Sequence, residues 1–157
     1  MAIKHTFKAQ VNWTINDGES TSNPRSFSRN HEVLIANKTS TLQVSAAKPF
    51  RGDDNLYNPE DLLLSALTSC HMMSYLYVCA QHNIEVLSYT DHAEGDLEVH
   101  ASGSGNFKIV RLQPVVTIKN ASQKDLAQSL HVKANQLCFI ANSCNFPITH
   151  VATVEVS

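Results

Sequence analysis

Apolar and polar residues alternate from His5 to Ile15, where Phe7, Ala9, Val11, Trp13 and Ile15 stand against polar partners. That period of two predicts a half-buried strand. Ser20 to Arg25 is polar, contains Pro24 and predicts a loop. Phe27 to Ile35 predicts a second strand, Asn37-Lys38 a turn, and Thr41 to Ser45 a short third strand, together a small antiparallel meander. Pro49 to Tyr57 reads as a polar loop containing Gly52.

At Asn58 the period changes. Asn58 suits a helix cap and Pro59 the first helical position, while Glu60 and Asp61 put negative charge on the positive end of the dipole. The helix is predicted to run to about Gln81 and to end at Asn83. Its apolar residues, among them Leu62, Leu63, Leu67, Met72, Met73, Leu76 and Val78, surround the axis. A helix apolar all round is buried all round. The expected cover is a sheet on one side and a second copy of the chain on the other.

Val86 to His100 and Phe107 to Lys119 are strand-rich and meet through Ser102-Gly103-Ser104-Gly105, which is hairpin text. Ser122-Gln123-Lys124-Asp125 is similar to a capping box with Asp for Glu, and Leu126, Leu130, Ala134 and Leu137 follow at helical spacing. Val151 to Val156 alternates as a terminal strand. The order predicts one α+β domain over residues 1–157, with N-terminal strands in 1–50, a central helix over about 58–82, and strands with a second helix in 86–157.

The length of 157 residues is that of one domain. Only 17% of residues are charged against 43% hydrophobic, which points to apolar surface covered by a partner. The net charge of −2, without a run of like charges, offers nothing to nucleic acid or an anionic membrane. Met1 to Phe7 lacks an apolar export segment, and the stretch Leu62 to Ala80 is broken by Ser65, Thr68, Ser69, His71 and Ser74. The expectation is a cytoplasmic chain with no membrane span. Its four cysteines show no CxxC spacing and are expected as thiols.

Cys70 falls in the middle of the long helix, and Cys138 follows the second. Two thiols in separate apolar settings suit redox chemistry on an apolar substrate better than metal binding, although a buried cysteine is ordinarily just a small hydrophobe. Cys79 lies nine residues beyond Cys70, on roughly the opposite face at ~100° per residue, and reads as packing. A partner for Cys70 must come from another element, and Cys138 is the best placed. Glu60 is ten residues before Cys70, ~15 Å along the helix. It therefore serves only the dipole, or acts through an arginine or across a dimer interface. A nucleophilic thiolate needs a nearby cation. Arg29, beside Phe27, His31 and Val33, is preferred over Arg25 in the preceding loop. His71 points a quarter-turn from Cys70 and reads as a packing or hydrogen-bonding residue. His5, His31, His82, His92, His100, His131 and His150 form neither an HExxH nor a zinc spacing, so no metal is expected.

The text from Asn58-Pro59-Glu60 through Ser69-Cys70-His71-Met72-Met73 resembles the OsmC/Ohr family of thiol-dependent peroxidases. Leu137-Cys138-Phe139-Ile140-Ala141-Asn142-Ser143, with Asn145-Phe146-Pro147, is similar to the text around the family's second cysteine. The resemblance is closer to the OsmC-like branch, since the Gly-Gly-Arg text of the organic hydroperoxide resistance branch is absent. Cys144 departs from the pattern, where an aliphatic residue is expected. The resemblance implies an OsmC-like fold, antiparallel sheets wrapped around a long central helix, in an intertwined homodimer with active sites at the interface.

It also implies roles. Cys70 attacks the peroxide and becomes a sulfenic acid, and Cys138 resolves it to a disulfide. Arg29 (or Arg25) stabilises the thiolate and leaving oxygen, and Glu60 holds that arginine by a bidentate contact. Leucines, Met72, Met73 and Phe139 form an apolar approach for an organic hydroperoxide, with hydrogen peroxide reduced more slowly. No cofactor is implied beyond an external dithiol, such as a lipoylated protein. The implied role is defence against oxidative stress. Two other readings stand beside it. One is a non-catalytic binder of an apolar small molecule on the same fold. The other is a thioesterase-like enzyme, which would leave Cys70 without a task.

Overall fold

The alternating text of the first third yields shorter strands than its pattern suggests. In the computed structural model, which describes residues 3–157, β1 spans Ala9–Asn12, β2 His31–Ile35 and β3 Leu42–Val44. Met1 and Ala2, part of the N-terminal text read above for export, lie outside the described residues. The three strands pair antiparallel in the order β1-β2-β3, with Val11 opposite Val33 and Val33 opposite Leu42. β1 stops where its partner stops. Ala9 faces Ile35, and the chain then turns at Asn37 (φ 66°), so Phe7 has no strand to pair with and is 92% exposed. All four residues of β1 are exposed rather than half-buried.

Contacts gather into two compact units, Met1–Leu62 and Leu63–Ser157. The boundary falls in the first turn of α1, which spans Pro59–Gln81. The predicted start of α1 is built as a reciprocal cap. The Asp61 N–H donates to Asn58 Oδ1 at 2.9 Å, and the Asn58 N–H donates to Asp61 Oδ2 at 3.3 Å. The helix ends as predicted. Asn83 takes the left-handed conformation (φ 54°), and the Ile84 N–H returns to the Cys79 carbonyl at 2.9 Å.

Two three-stranded sheets make up the second unit with the helices. One has the order β4-β7-β9, from Val86–Asp91, Pro114–Ile118 and Thr153–Val156. The other has the order β5-β6-β8, from Glu94–Val99, Gly105–Leu112 and Ile148–His150. The pairs β4–β7 and β5–β6 are antiparallel, and the β5–β6 hairpin turns at Gly103 (φ 84°) as expected. Each sheet also gains a parallel edge strand, β9 on β7 and β8 on β6. Parallel neighbours need a crossover, and α2 (Lys124–Leu137) lies within that connection in both cases. The cap of α2 differs from expectation. Asn120 Oδ1, not Ser122, accepts from the Ser122 N–H at 3.0 Å and opens a 3₁₀ turn over Ala121–Gln123 that runs into the helix.

α1 feeds two cores. Tyr75, Val78 and Cys79 pack with Val116, Ile118 and Val154 of one sheet and with Ala127, Leu130 and Ala134 of α2. Leu67 packs with Phe107, Val110 and Leu112 of the other sheet. The helix is not covered all round, since Met73 and Tyr77 are 60% and 58% exposed. By length and composition α1 would reach across a bilayer, but the face carrying Leu67, Tyr75 and Val78 is buried by the protein's own sheets.

Candidate active site

α1 and α2 run in opposite senses along their contact. The Tyr75 hydroxyl donates to the Ala127 carbonyl at 3.1 Å, and its ring stacks on His131 at 3.9 Å. One turn earlier in α1, His71 Nε2 lies 3.1 Å from His131 Nδ1. At the end of this ladder Cys70 of α1 neighbours Cys138, which caps α2 in an extended conformation (φ −71°, ψ 108°). Both cysteines are buried and free. Burial pushes the Cys138 thiol up to about 11, with the Cys70 thiol beside it the next cause. The Ala141 N–H donates to Cys138 Sγ at 3.4 Å and fixes its direction.

An open cavity of about 480 Å³ adjoins the pair, lined by Cys70, Met73, Ser74, Tyr77, Leu137 and Phe139. Met73 and Phe139 thus stand where the sequence reading put an apolar approach. Met72 does not: it lines a separate, smaller cavity with Thr68, Ser69, Tyr89 and Asp91, because one residue's rotation along a helix turns it off that face. Cys79 is fully buried in the first core, as expected of a packing residue. Cys144 packs beside the second core near Phe107 and Phe146.

Arg29 and Glu60 belong to the first unit, where they line an apolar cavity of about 450 Å³ with Val11, Trp13, Phe27 and Phe50. Arg25 is exposed and does not line it. The bidentate Arg29–Glu60 contact is not formed. The Arg29 guanidinium stacks 4.6 Å over the Phe27 ring and donates to the Phe27 carbonyl at 2.8 Å and the Pro24 carbonyl at 2.6 Å. Local carbonyls therefore hold the fork through one N–H on each terminal nitrogen, and Glu60 Oε2 is buried without a hydrogen-bond partner among the described residues.

A group that sequence reasoning missed lies between α1, α2 and β8. The rings of His71, His131 and His150 sit 5.4 Å, 5.5 Å and 6.2 Å apart. His71 and His131 are fully buried. No local spacing reveals such a trio, since its members are separated by 60 and 19 residues. Among the described residues, no three His, Cys, Asp or Glu side chains are arranged to hold a metal ion.

Residues 52–152 match the family model for OsmC-like protein. An uncharacterised Bacillus subtilis protein, YmaD, is 26% identical over 142 residues, 88% of this chain and 86% of its own length. An OsmC-like protein of unknown function from Vibrio cholerae superposes with a TM-score of 0.83 at 29% identity, covering 95% of this chain and 99% of that one. The organic hydroperoxide resistance protein OhrB of Bacillus subtilis shares the fold at a TM-score of 0.60 and 15% identity, covering 98% of both chains.

Proposed function

Because the chain belongs to the OsmC-like protein family, we propose that it is a cysteine-based peroxidase for organic hydroperoxides, acting in defence against oxidative stress. The observation that carries this reading is the pairing of Cys70 and Cys138 at the α1–α2 contact, beside an apolar cavity. In the proposed cycle the Cys70 thiolate attacks the terminal oxygen of the hydroperoxide. An S–O bond forms, the O–O bond breaks, and an alkoxide leaves and takes a proton as the alcohol. The Cys138 thiolate then attacks the sulfenic sulfur. An S–S bond forms, the S–O bond breaks, and hydroxide leaves as water. An external dithiol exchanges through both sulfurs and restores the thiols.

Arg29 and Glu60 are proposed to serve this thiolate. The Arg29 guanidinium has further N–H donors beyond those two bonds and can pair with Glu60 Oε2, which has no partner among the described residues, and with an anion. The exposed side chains of Met73, Tyr77 and Phe139 favour cover by a second copy of the chain.

The test is consumption of cumene hydroperoxide, with hydrogen peroxide alongside, by wild type and Cys70→Ser in the presence of a dithiol. Faster turnover of the organic peroxide, abolished by the substitution, supports the reading. Unchanged consumption by Cys70→Ser sinks it. The apolar cavity around Trp13 and Phe27 favours the binder as a second reading. That protein would consume no peroxide and would co-purify with an apolar ligand.

A further inference from the structure

Two buried imidazoles, His71 and His131, meet the partly buried His150, and a buried ring nitrogen without a partner costs free energy. The His71–His131 contact joins the two helices that carry Cys70 and Cys138. His71 follows Cys70 directly. His131 precedes Cys138 by seven residues, about two turns of helix, and so lies on the same face of α2. Whichever tautomers they adopt, the contact uses one nitrogen of each ring. His71 Nδ1, His131 Nε2 and His150 Nδ1 remain buried without a partner. A second charge in such a group would be repelled by the first and by the loss of water.

We propose that the His71–His131–His150 cluster is an acid-sensitive latch that holds α1 against α2 and so sets the apposition of Cys70 and Cys138. The proposal takes the cysteine pair from the function proposed above and adds its regulation. The histidines act through helix placement and are positioning residues.

The groups that face the cluster support a latch that opens in acid. From α1 these are Tyr75, stacked on His131, and Cys79, which packs in the same core as Tyr75. From β4 it is Tyr89, tilted against Tyr75, with Asp91 beyond it. No carboxylate is among the causes that shift the three histidines. Burial, followed by the His150 ring, lowers His71 to about 4. Burial, followed by the other two rings, lowers His131 to about 3. The open arrangement, with histidines near their usual value, therefore binds more protons than the closed one between about pH 6.5 and 4. Closure is favoured above that window and lost progressively as pH falls through it.

The thiol–disulfide equilibrium with glutathione tests the latch without any peroxide. One glutathione disulfide is reduced to two thiols as the Cys70–Cys138 bond forms. The constant is measured on the full chain from about pH 7.5 to pH 5, approached from both the oxidised and the reduced side. The latch predicts that disulfide formation weakens about tenfold or more as pH falls. Ionisation of a cysteine would move the constant in the opposite sense, so the sign separates the two causes. In His131→Phe/His150→Phe, which keeps a ring stacked on Tyr75, the dependence should shrink severalfold, the remainder belonging to buried His71. His131→Phe alone, which removes the ring lowered furthest, serves if the double variant does not fold.

A wild-type constant that does not weaken in acid overturns the latch, as does an equal pH dependence in the variants. Loss of the helical circular dichroism signal in step with the constant also overturns it, in favour of general unfolding. Absent peroxide turnover at neutral pH would refute the peroxidase and leave the glutathione result standing.

Discussion

If burial holds the Cys138 thiol near 11, the resolving step must depend steeply on pH. The attacking species is the thiolate. Oxidation of Cys70 removes the smaller cause of the shift, the neighbouring thiol, but the larger cause, burial, remains. In the reduced pair roughly 1 in 3,000 Cys138 side chains is ionised at about pH 7.5; oxidation of Cys70 raises that fraction, which still climbs about tenfold per pH unit. The histidine cluster adds nothing here, because above about pH 7 its members are neutral whether the latch is open or closed. The assay mixes reduced protein with a slight excess of cumene hydroperoxide, samples at intervals into dimedone, and reads the trapped sulfenic acid by intact mass. Its rate of disappearance should rise about tenfold from about pH 7 to 8 and again from 8 to 9, while Cys138→Ser keeps a long-lived, dimedone-reactive Cys70. A wild-type rate constant within about twofold across that range would refute a buried, neutral resolving thiol.

Three further outcomes are expected. Leu67→Ala empties a fully buried site in the second core and should cost about 2–5 kcal/mol in urea unfolding, with a loss well under about 1 kcal/mol contradicting the packing described. Cys79→Ala should leave peroxide consumption unchanged and lower stability by on the order of 1 kcal/mol, and a lost disulfide in this variant would reopen its role. Arg29→Gln should reduce kcat/KM for organic hydroperoxide by roughly 10²-fold if the guanidinium serves the leaving oxygen, whereas Arg25→Gln, on the exposed loop, should change it little.

Local chemistry was the legible part. Asn58, Pro59 and Asp61 name a helix start because the cap is made within four residues, and Asn83 names its end for the same reason. The β5–β6 hairpin follows from Gly103, which the turn places at positive φ. The segregation of Cys79 from Cys70 followed from helix rotation alone. What stayed hidden depends on distant partners. Phe7 alternates like a strand residue, yet lies outside one because β2 ends at Ile35. The parallel placement of β8 depends on its pairing with β6, which no period within Ile148–His150 encodes. The Arg29 fork turned to the carbonyls of Phe27 and Pro24, a choice set by loop shape. The histidine trio required three separate elements to meet, and its members carry no motif.

The central claim is that Cys70 and Cys138 are the redox pair, and peptide mapping after stoichiometric oxidation tests it most directly. Reduced protein receives one equivalent of cumene hydroperoxide, is alkylated, digested and mapped by mass spectrometry. The account predicts a Cys70–Cys138 linked peptide in wild type, with Cys79 and Cys144 alkylated as free thiols. An alkylated, unoxidised Cys70, or a disulfide that joins Cys144 in place of Cys138, would contradict it.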